Sequence, residues 1–134
     1  MTLPADRWLD VDPDRLLPTG IREVADSAFD LRAGRPLSGL EIDHAFTQLA
    51  AGPDGRVQAV LRTADGAGVV LEWDAGDLPW VQVHTADRPE PELHRSAVVI
   101  EPMTCPPNAL QSGEGVVRLA PGDSHSARWH IRPL

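Results

Sequence analysis

The chain has 134 residues, 42% of them hydrophobic, and a formal net charge of −8 that comes from 20 acidic and 12 basic residues. This length and hydrophobic content suffice for one globular domain with its own core and argue against a disordered chain. The acidic balance argues against binding to nucleic acid or to anionic lipid, because both need clustered positive charge. We therefore expect a single domain over residues 1–134, with no nucleic-acid and no membrane partner.

The spacing of prolines and glycines predicts the fold class. Thirteen prolines and eleven glycines divide the chain into runs of a strand's length, and no run shows a long period of 3.6 residues. That pattern is typical of an all-β sandwich or barrel. In chain order, strands are predicted over residues 2–11, 21–24, 42–49, 57–61, 69–73, 80–85, 96–100, 115–119 and 126–131, with an isolated extended stretch at 29–32. The turn residues at 65–68 predict that the fourth and fifth strands form a hairpin.

The compartment follows from cysteine usage and from the N-terminus. Cys105 is the sole cysteine, so no intrachain disulfide can form, which fits a reducing compartment. No apolar run approaches the roughly 20 residues of a membrane span. The N-terminal residues lack a basic and then apolar signal pattern. These features predict a cytoplasmic protein.

One carboxylate lies in an unusual place. The apolar run 96–100 ends at Glu101, and Pro102 follows directly, so Glu101 is predicted where a buried strand opens into a rigid loop. An ionised carboxylate in that position needs a partner or a function. The alternative is a side chain held by backbone groups for structural reasons alone.

Two further polar residues interrupt predicted strands. Asp43 follows an apolar residue, and Gln82 lies between two valines. Together with Glu101 they would line a polar hollow suited to a neutral, hydroxyl-rich ligand. Trp73 and Trp80 would then be available to stack on the apolar face of a sugar. The alternatives are strand residues that face solvent and tryptophans that belong to the core.

Other kinds of site have little support. The five histidines lie far apart with no pair at metal-ligand spacing, so no metal is predicted. There is no glycine-rich phosphate loop and no serine in a nucleophile elbow. Cys105 has no neighbouring group in the sequence that would activate its thiol. No cofactor is predicted.

The order of short motifs resembles the C-terminal half of the aldose 1-epimerase (mutarotase) family over nearly the whole chain. The motifs that carry the resemblance are Ala5-Asp6-Arg7-Trp8-Leu9, Leu17-Pro18-Thr19-Gly20, Phe29-Asp30-Leu31-Arg32, Ile42-Asp43-His44-Ala45-Phe46, Trp80-Val81-Gln82-Val83-His84-Thr85, Ile100-Glu101-Pro102, Pro107-Asn108-Ala109 and Leu119-Ala120-Pro121-Gly122. The resemblance implies an antiparallel β-sandwich of the galactose mutarotase-like supersandwich type, without a cofactor. It also implies that the protein interconverts α and β anomers of free aldohexoses.

The resemblance also implies roles for single residues. Glu101 matches the family's general base, which takes the proton from the anomeric hydroxyl. Asp43 matches an acid that binds sugar hydroxyls, and Gln82 matches a glutamine near the substrate. Trp80 stands where the family usually has glycine, and it is expected to reshape the pocket. His84 stands where tyrosine or phenylalanine is common.

The family's acid histidine and a second, assisting histidine belong to its N-terminal half and have no counterpart here. A base without its acid is expected to lose about 10²–10⁴-fold in rate, unless His44 or His84 replaces the acid. The resemblance leaves open whether the chain is a piece of a longer epimerase or a natural half-length protein. A half sandwich would expose a strand edge and an apolar face, which predicts a homo-oligomer.

Two other functions stay open at this stage. One is a non-catalytic carbohydrate-binding or partner-binding β-domain derived from such an enzyme. The other is an enzyme that acts on phosphorylated sugars, which needs an arginine cluster at the cleft. The candidates for that cluster are Arg32, Arg35 and Arg95, and the alternative for each is a solvated surface position.

Overall fold

The structure is a computed structural model that describes all residues 1–134, and it consists of two antiparallel sheets. Its strands are β1 (Ala5–Val11), β2 (Pro18–Glu23), β3 (Asp43–Leu49), β4 (Arg56–Arg62), β5 (Gly68–Asp74), β6 (Trp80–His84), β7 (Val99–Met103) and β8 (Trp129–Pro133). The single helix, α1, spans Ala109–Ser112. One sheet has the order β2-β1-β3-β6-β7, and the other has the order β4-β5-β8. The predicted all-β sandwich is confirmed.

The two sheets pack on a common core. From the larger sheet, Phe46, Val81 and Val83 point into it, and from the smaller sheet Val57 and Trp73 do so. Each of these residues has a polar neighbour in its strand whose side chain faces the other way. On the larger sheet that other face carries a small apolar cluster of Leu9, Ala45 and Trp80, and the polar side chains beside this cluster are available for a site.

The hairpin predicted at the turn 65–68 is present, with β4 paired to β5 from Arg56↔Asp74 to Arg62↔Gly68. Gly66 adopts a φ of 93°, which favours glycine. Gly68 is required by close approach, because a Cβ there would lie 2.3 Å from the carbonyl oxygen of Leu61. The local turn chemistry thus sets the register of this pair.

Several of the predicted elements differ from the structure, among them the strand predicted over residues 126–131, which spans Trp129–Pro133. Residues 29–32 lie in turns, and residues 115–119 form no strand. The strand predicted to end before Glu101 instead runs through it to Met103. Pro102 is tolerated because β7 is an edge strand, where one side of the ladder needs no N–H.

Candidate functional site

The sheet register places three of the predicted site residues on one face. Asp43 pairs with His84, and Gln82 pairs with Ala45 on one side and with Glu101 on the other. Residues directly opposite each other in a sheet share a face, and residues two apart along a strand do so too. Asp43, Gln82 and Glu101 therefore project from the face that points away from the core.

These three side chains line one hollow of about 280 Å³. That volume is close to the lower end of the range of small-molecule sites, roughly 300–1,000 Å³. The other lining residues are Val11, Leu16, Ala45, Met103 and Pro107. A larger groove of about 650 Å³ lies beside Met1 and Arg35, and none of the predicted site residues lines it. The smaller hollow, which we call the site cavity, is thus the one that brings Asp43, Gln82 and Glu101 together.

A direct contact connects two of the polar residues. The Gln82 side-chain nitrogen donates to a carboxylate oxygen of Asp43 at 2.7 Å. The other end of the amide, Oε1 of Gln82, is buried and has no hydrogen-bond partner. An unpaired buried acceptor costs about 1–3 kcal/mol, so a donor supplied by a bound hydroxyl would be stabilising.

The environment of Glu101 differs from the prediction. The sequence places this carboxylate at the end of a buried strand, but its side chain is exposed and it lies within β7. The expectation of a buried charge is wrong because β7 is the outermost strand, so Glu101 has a neighbouring strand on one side only. The carboxylate still borders the site cavity and does not point into open solvent away from it.

The two tryptophans considered for sugar stacking have different positions. Trp73 is fully buried in the core, and its indole N–H donates to the carbonyl oxygen of Leu78 at 3.1 Å. Trp80 lies on the same face as Gln82, but it is 6% exposed and packs with Leu9 and Ala45. Trp80 does not line the site cavity, so its role in binding stays a prediction.

The histidines do not meet Glu101 in the cavity. His44 projects from the core face of β3 and contacts Trp8 and Phe29 edge-on, with ring centroids 4.8 and 4.7 Å away. Burial lowers the pKa of His44 below its ordinary value of 6.5. His84 is on the site face, where its Nδ1 accepts the backbone N–H of Ala86 at 3.3 Å, but it does not line the cavity.

The three arginines proposed for phosphate binding are engaged elsewhere. Arg32 forms ion pairs with Asp6 and Asp30 at 2.9 and 2.7 Å. Arg35 donates to a backbone carbonyl, and Arg95 pairs with Asp87 at 2.6 Å. None of the three lines the site cavity. The structure therefore brings no arginine cluster to the candidate site.

Sequence reasoning missed the apolar wall of the cavity. Val11 and Leu16 come from the end of β1 and the turn after it, and Met103 and Pro107 come from the end of β7 and the loop that follows. The signal available in the sequence was weak, because each residue is ordinary for a strand end or a proline-rich loop. Leu16 has a φ of 54°, an uncommon conformation for a residue with a branched side chain.

No three side chains of His, Cys, Asp or Glu come together as a possible metal site. The single short helix is far from the length and hydrophobicity that a membrane span requires.

Comparison with known proteins identifies the family of the chain. The sequence model of the family described as Aldose 1-epimerase matches residues 1–132. Over 129 residues the chain is 28% identical to Uncharacterized protein YihR of Escherichia coli (strain K12), and the alignment covers 96% of this chain and 38% of that protein. The chain thus spans less than two fifths of the length of the curated relative it matches. With nearly every residue inside the family match, the chain belongs to the aldose 1-epimerase family.

Proposed function

We propose that this protein binds a free aldohexose in the site cavity and interconverts its α and β anomers, with Glu101 as the base. The observation that carries the proposal is that Asp43, Gln82 and Glu101, which lie far apart in the sequence, line one hollow on one face of the sheet. Membership of the aldose 1-epimerase family supports the same reaction class.

The lining of the cavity suits a neutral sugar. Carboxylates accept hydrogen bonds from hydroxyls, and two carboxylates, those of Asp43 and Glu101, line the cavity. The apolar lining residues Val11, Leu16, Met103 and Pro107 offer contact to the C–H groups of a pyranose ring. Trp80 is proposed to support this site from the side, through its packing with Ala45, which lines the cavity.

The proposed reaction needs one proton removed and one delivered. The Glu101 carboxylate takes the proton of the C1 hydroxyl, the bond between C1 and the ring oxygen breaks, and its electron pair stays on the ring oxygen. That oxygen takes a proton, which gives the open-chain aldehyde. Rotation about the C1–C2 bond and the reverse steps then close the ring as the other anomer.

The second proton comes from solvent in this proposal, because none of the eight residues that line the cavity is a histidine or another ready acid. The exposure of Glu101 gives water access to this part of the cavity. Because a positioned acid contributes about 10²–10⁴-fold, turnover by this chain is expected to be slower by that factor than with a complete acid–base pair.

A phosphorylated substrate is disfavoured by charge. Two carboxylates border the cavity, and the candidate arginines Arg32, Arg35 and Arg95 do not line it and are bonded to other groups. An anionic sugar would meet like charges without a compensating cation. We expect sugar phosphates to bind more weakly than galactose or glucose in calorimetry.

The absence of an acid among the lining residues favours a second candidate function, a carbohydrate-binding domain without catalysis. Such a domain would bind the sugar through Asp43 and Gln82 in the same way but would not accelerate the interconversion of its anomers. Sugar binding in calorimetry, together with an unaccelerated optical rotation, would identify this function. The cytoplasmic location predicted from the sequence is part of the proposal for both candidate functions.

The proposal is tested by polarimetry on freshly dissolved α-D-glucose or α-D-galactose. The protein should speed the change in optical rotation, and Glu101→Gln should remove about 10²-fold or more of that acceleration. The matched control is Glu92→Gln, because Glu92 is an exposed carboxylate on the β6–β7 connection and does not border the cavity. Equal rates for the two variants would show that Glu101 is not the base.

A further inference from the structure

The two sheets have four edge strands, and three of them carry features that discourage pairing with another chain. On β4, Thr2 covers part of the edge, since its N–H donates to the Val60 oxygen at 2.9 Å and its carbonyl oxygen accepts the Val60 N–H at 3.0 Å. On β2, Arg22 and Glu23 form ion pairs across to β1. On β7, Pro102 interrupts the row of donors. Charges, prolines and covering segments are the usual protections of a sheet edge.

The fourth edge, β8, has an uncovered apolar face. All five of its residues are exposed, with Trp129 at 56% and Ile131 at 69%. Ile131 pairs with Leu71 and Trp129 pairs with Trp73, so they share the inner face of the smaller sheet with two buried core residues. The core face of that sheet thus continues onto β8, where nothing covers it.

The hydrogen-bond alternation in the ladder shows which backbone groups of β8 are free. Leu134 N–H donates to the Gly68 oxygen at 3.0 Å, so Leu134 points its backbone groups toward β5. In an antiparallel ladder the orientation alternates with each residue. Trp129, Ile131 and Pro133 therefore turn their backbone groups outward, and Pro133 has no N–H to leave unpaired there.

We propose that β8 pairs antiparallel with β8 of a second copy of this chain, about a twofold axis at Ile131. In this register Ile131 and the partner's Ile131 exchange two hydrogen bonds. Each Trp129 N–H donates to the carbonyl of the partner's Pro133, so every free donor on the edge is satisfied. The two smaller sheets join into one sheet of six strands.

The side chains are compatible with this self-pairing. On the inner face, Trp129 lies across from the partner's Pro133, and the two Ile131 side chains meet at the axis, so apolar groups cover each other. On the outer face, Arg132 is already paired with Glu72 at 2.8 Å. That ion pair reduces the repulsion between two basic strands brought side by side.

The small size of the contact sets its strength. A large aromatic side chain buries at most about 150–250 Å², and the five-residue strand β8 contains one tryptophan, Trp129. The interface therefore stays below the roughly 1,200 Å² at which standard interfaces begin. We expect a reversible dimer with a dissociation constant on the order of micromolar.

Sedimentation velocity over a concentration series from below to far above micromolar tests the proposal. The wild type should pass from monomer to dimer, and Ile131→Lys should raise the dissociation constant roughly tenfold or more, since it places two like charges at the axis. Ile21→Lys is the matched control, because Ile21 is also an apolar residue on an edge strand, 47% exposed, but on β2. It should dimerise as the wild type does.

Three outcomes would overturn the proposal. A wild type that stays monomeric at all concentrations has no such interface. A dimer that survives Ile131→Lys, or one that is lost in Ile21→Lys instead, uses another surface. Far-UV circular dichroism and thermal melting establish that both variants are folded, as expected for substitutions at two exposed positions, so that loss of the dimer reports on the contact itself.

Discussion

Replacing Trp73 with phenylalanine distinguishes a core tryptophan from one that stacks on a sugar. Trp73 is fully buried, and its indole N–H donates to the Leu78 carbonyl at 3.1 Å. Phenylalanine removes this donor and leaves the carbonyl without it, which costs about 1–3 kcal/mol. The smaller ring also leaves a void, which adds about 1 kcal/mol. The free energy of unfolding should therefore fall by about 2–4 kcal/mol, a large part of the roughly 5–15 kcal/mol typical of a domain.

The assay is urea unfolding followed by far-UV circular dichroism, with sugar affinity measured by calorimetry on the same samples. Trp73→Phe should lower the midpoint without changing the slope, and the folded protein should bind sugar as the wild type does. Trp80→Phe is the matched comparison, because Trp80 is also buried but lies on the site face, where it packs against Leu9 and Ala45. It should weaken sugar binding. If Trp73→Phe weakens binding more than Trp80→Phe does, the division of the two tryptophans between core and site is wrong.

Two predictions concern residues that hold β3 in place. The Thr85 hydroxyl accepts the N–H of Ile42 at 2.9 Å in a buried position. Thr85→Val should therefore lower the free energy of unfolding by about 1–3 kcal/mol in the same urea assay. A decrease below about 0.5 kcal/mol would contradict this prediction. Burial beside Trp8 and Phe29 lowers the pKa of His44, so the neutral form stabilises the fold. That stability is fully present above pH 6.5, the ordinary pKa, and is lost as the pH falls from there toward the lowered value. His44→Phe should flatten the pH dependence of the melting temperature in this interval. An unchanged pH dependence would show that His44 is not the group whose protonation destabilises the fold.

The parts of the fold with local signals were predictable. The hairpin of β4 and β5 follows from turn residues between two alternating runs, and both strands are found within a residue of the predicted bounds. The position of Gln82 between Val81 and Val83 correctly indicated a strand with one polar face. In these cases the pattern of a few neighbouring residues decides the structure, so the sequence contains the information directly.

The failures depend on distant parts of the chain. The run at residues 115–119 has strand-like composition, but no neighbouring strand is present to pair with it. Glu101 was expected to be buried because the run before it is apolar, yet Val99 is exposed as well, since β7 is the last strand of its sheet. Strand order is a long-range property, and neither composition nor periodicity reports it. The apolar wall of the cavity was missed for the same reason.

The candidate site depends on register more than on any single residue. Asp43, Gln82 and Glu101 come from three neighbouring strands, and they share a face only because β3, β6 and β7 are aligned as they are. A slip of one residue in β7 would turn Glu101 toward the core and bring Ile100 to the cavity, which the burial of an unpaired charge strongly disfavours. The apolar residues on the inner face, among them Val81 and Val83, fix that register by filling the core. The same hydrophobic packing that holds the two sheets together therefore also determines which polar groups can meet a sugar.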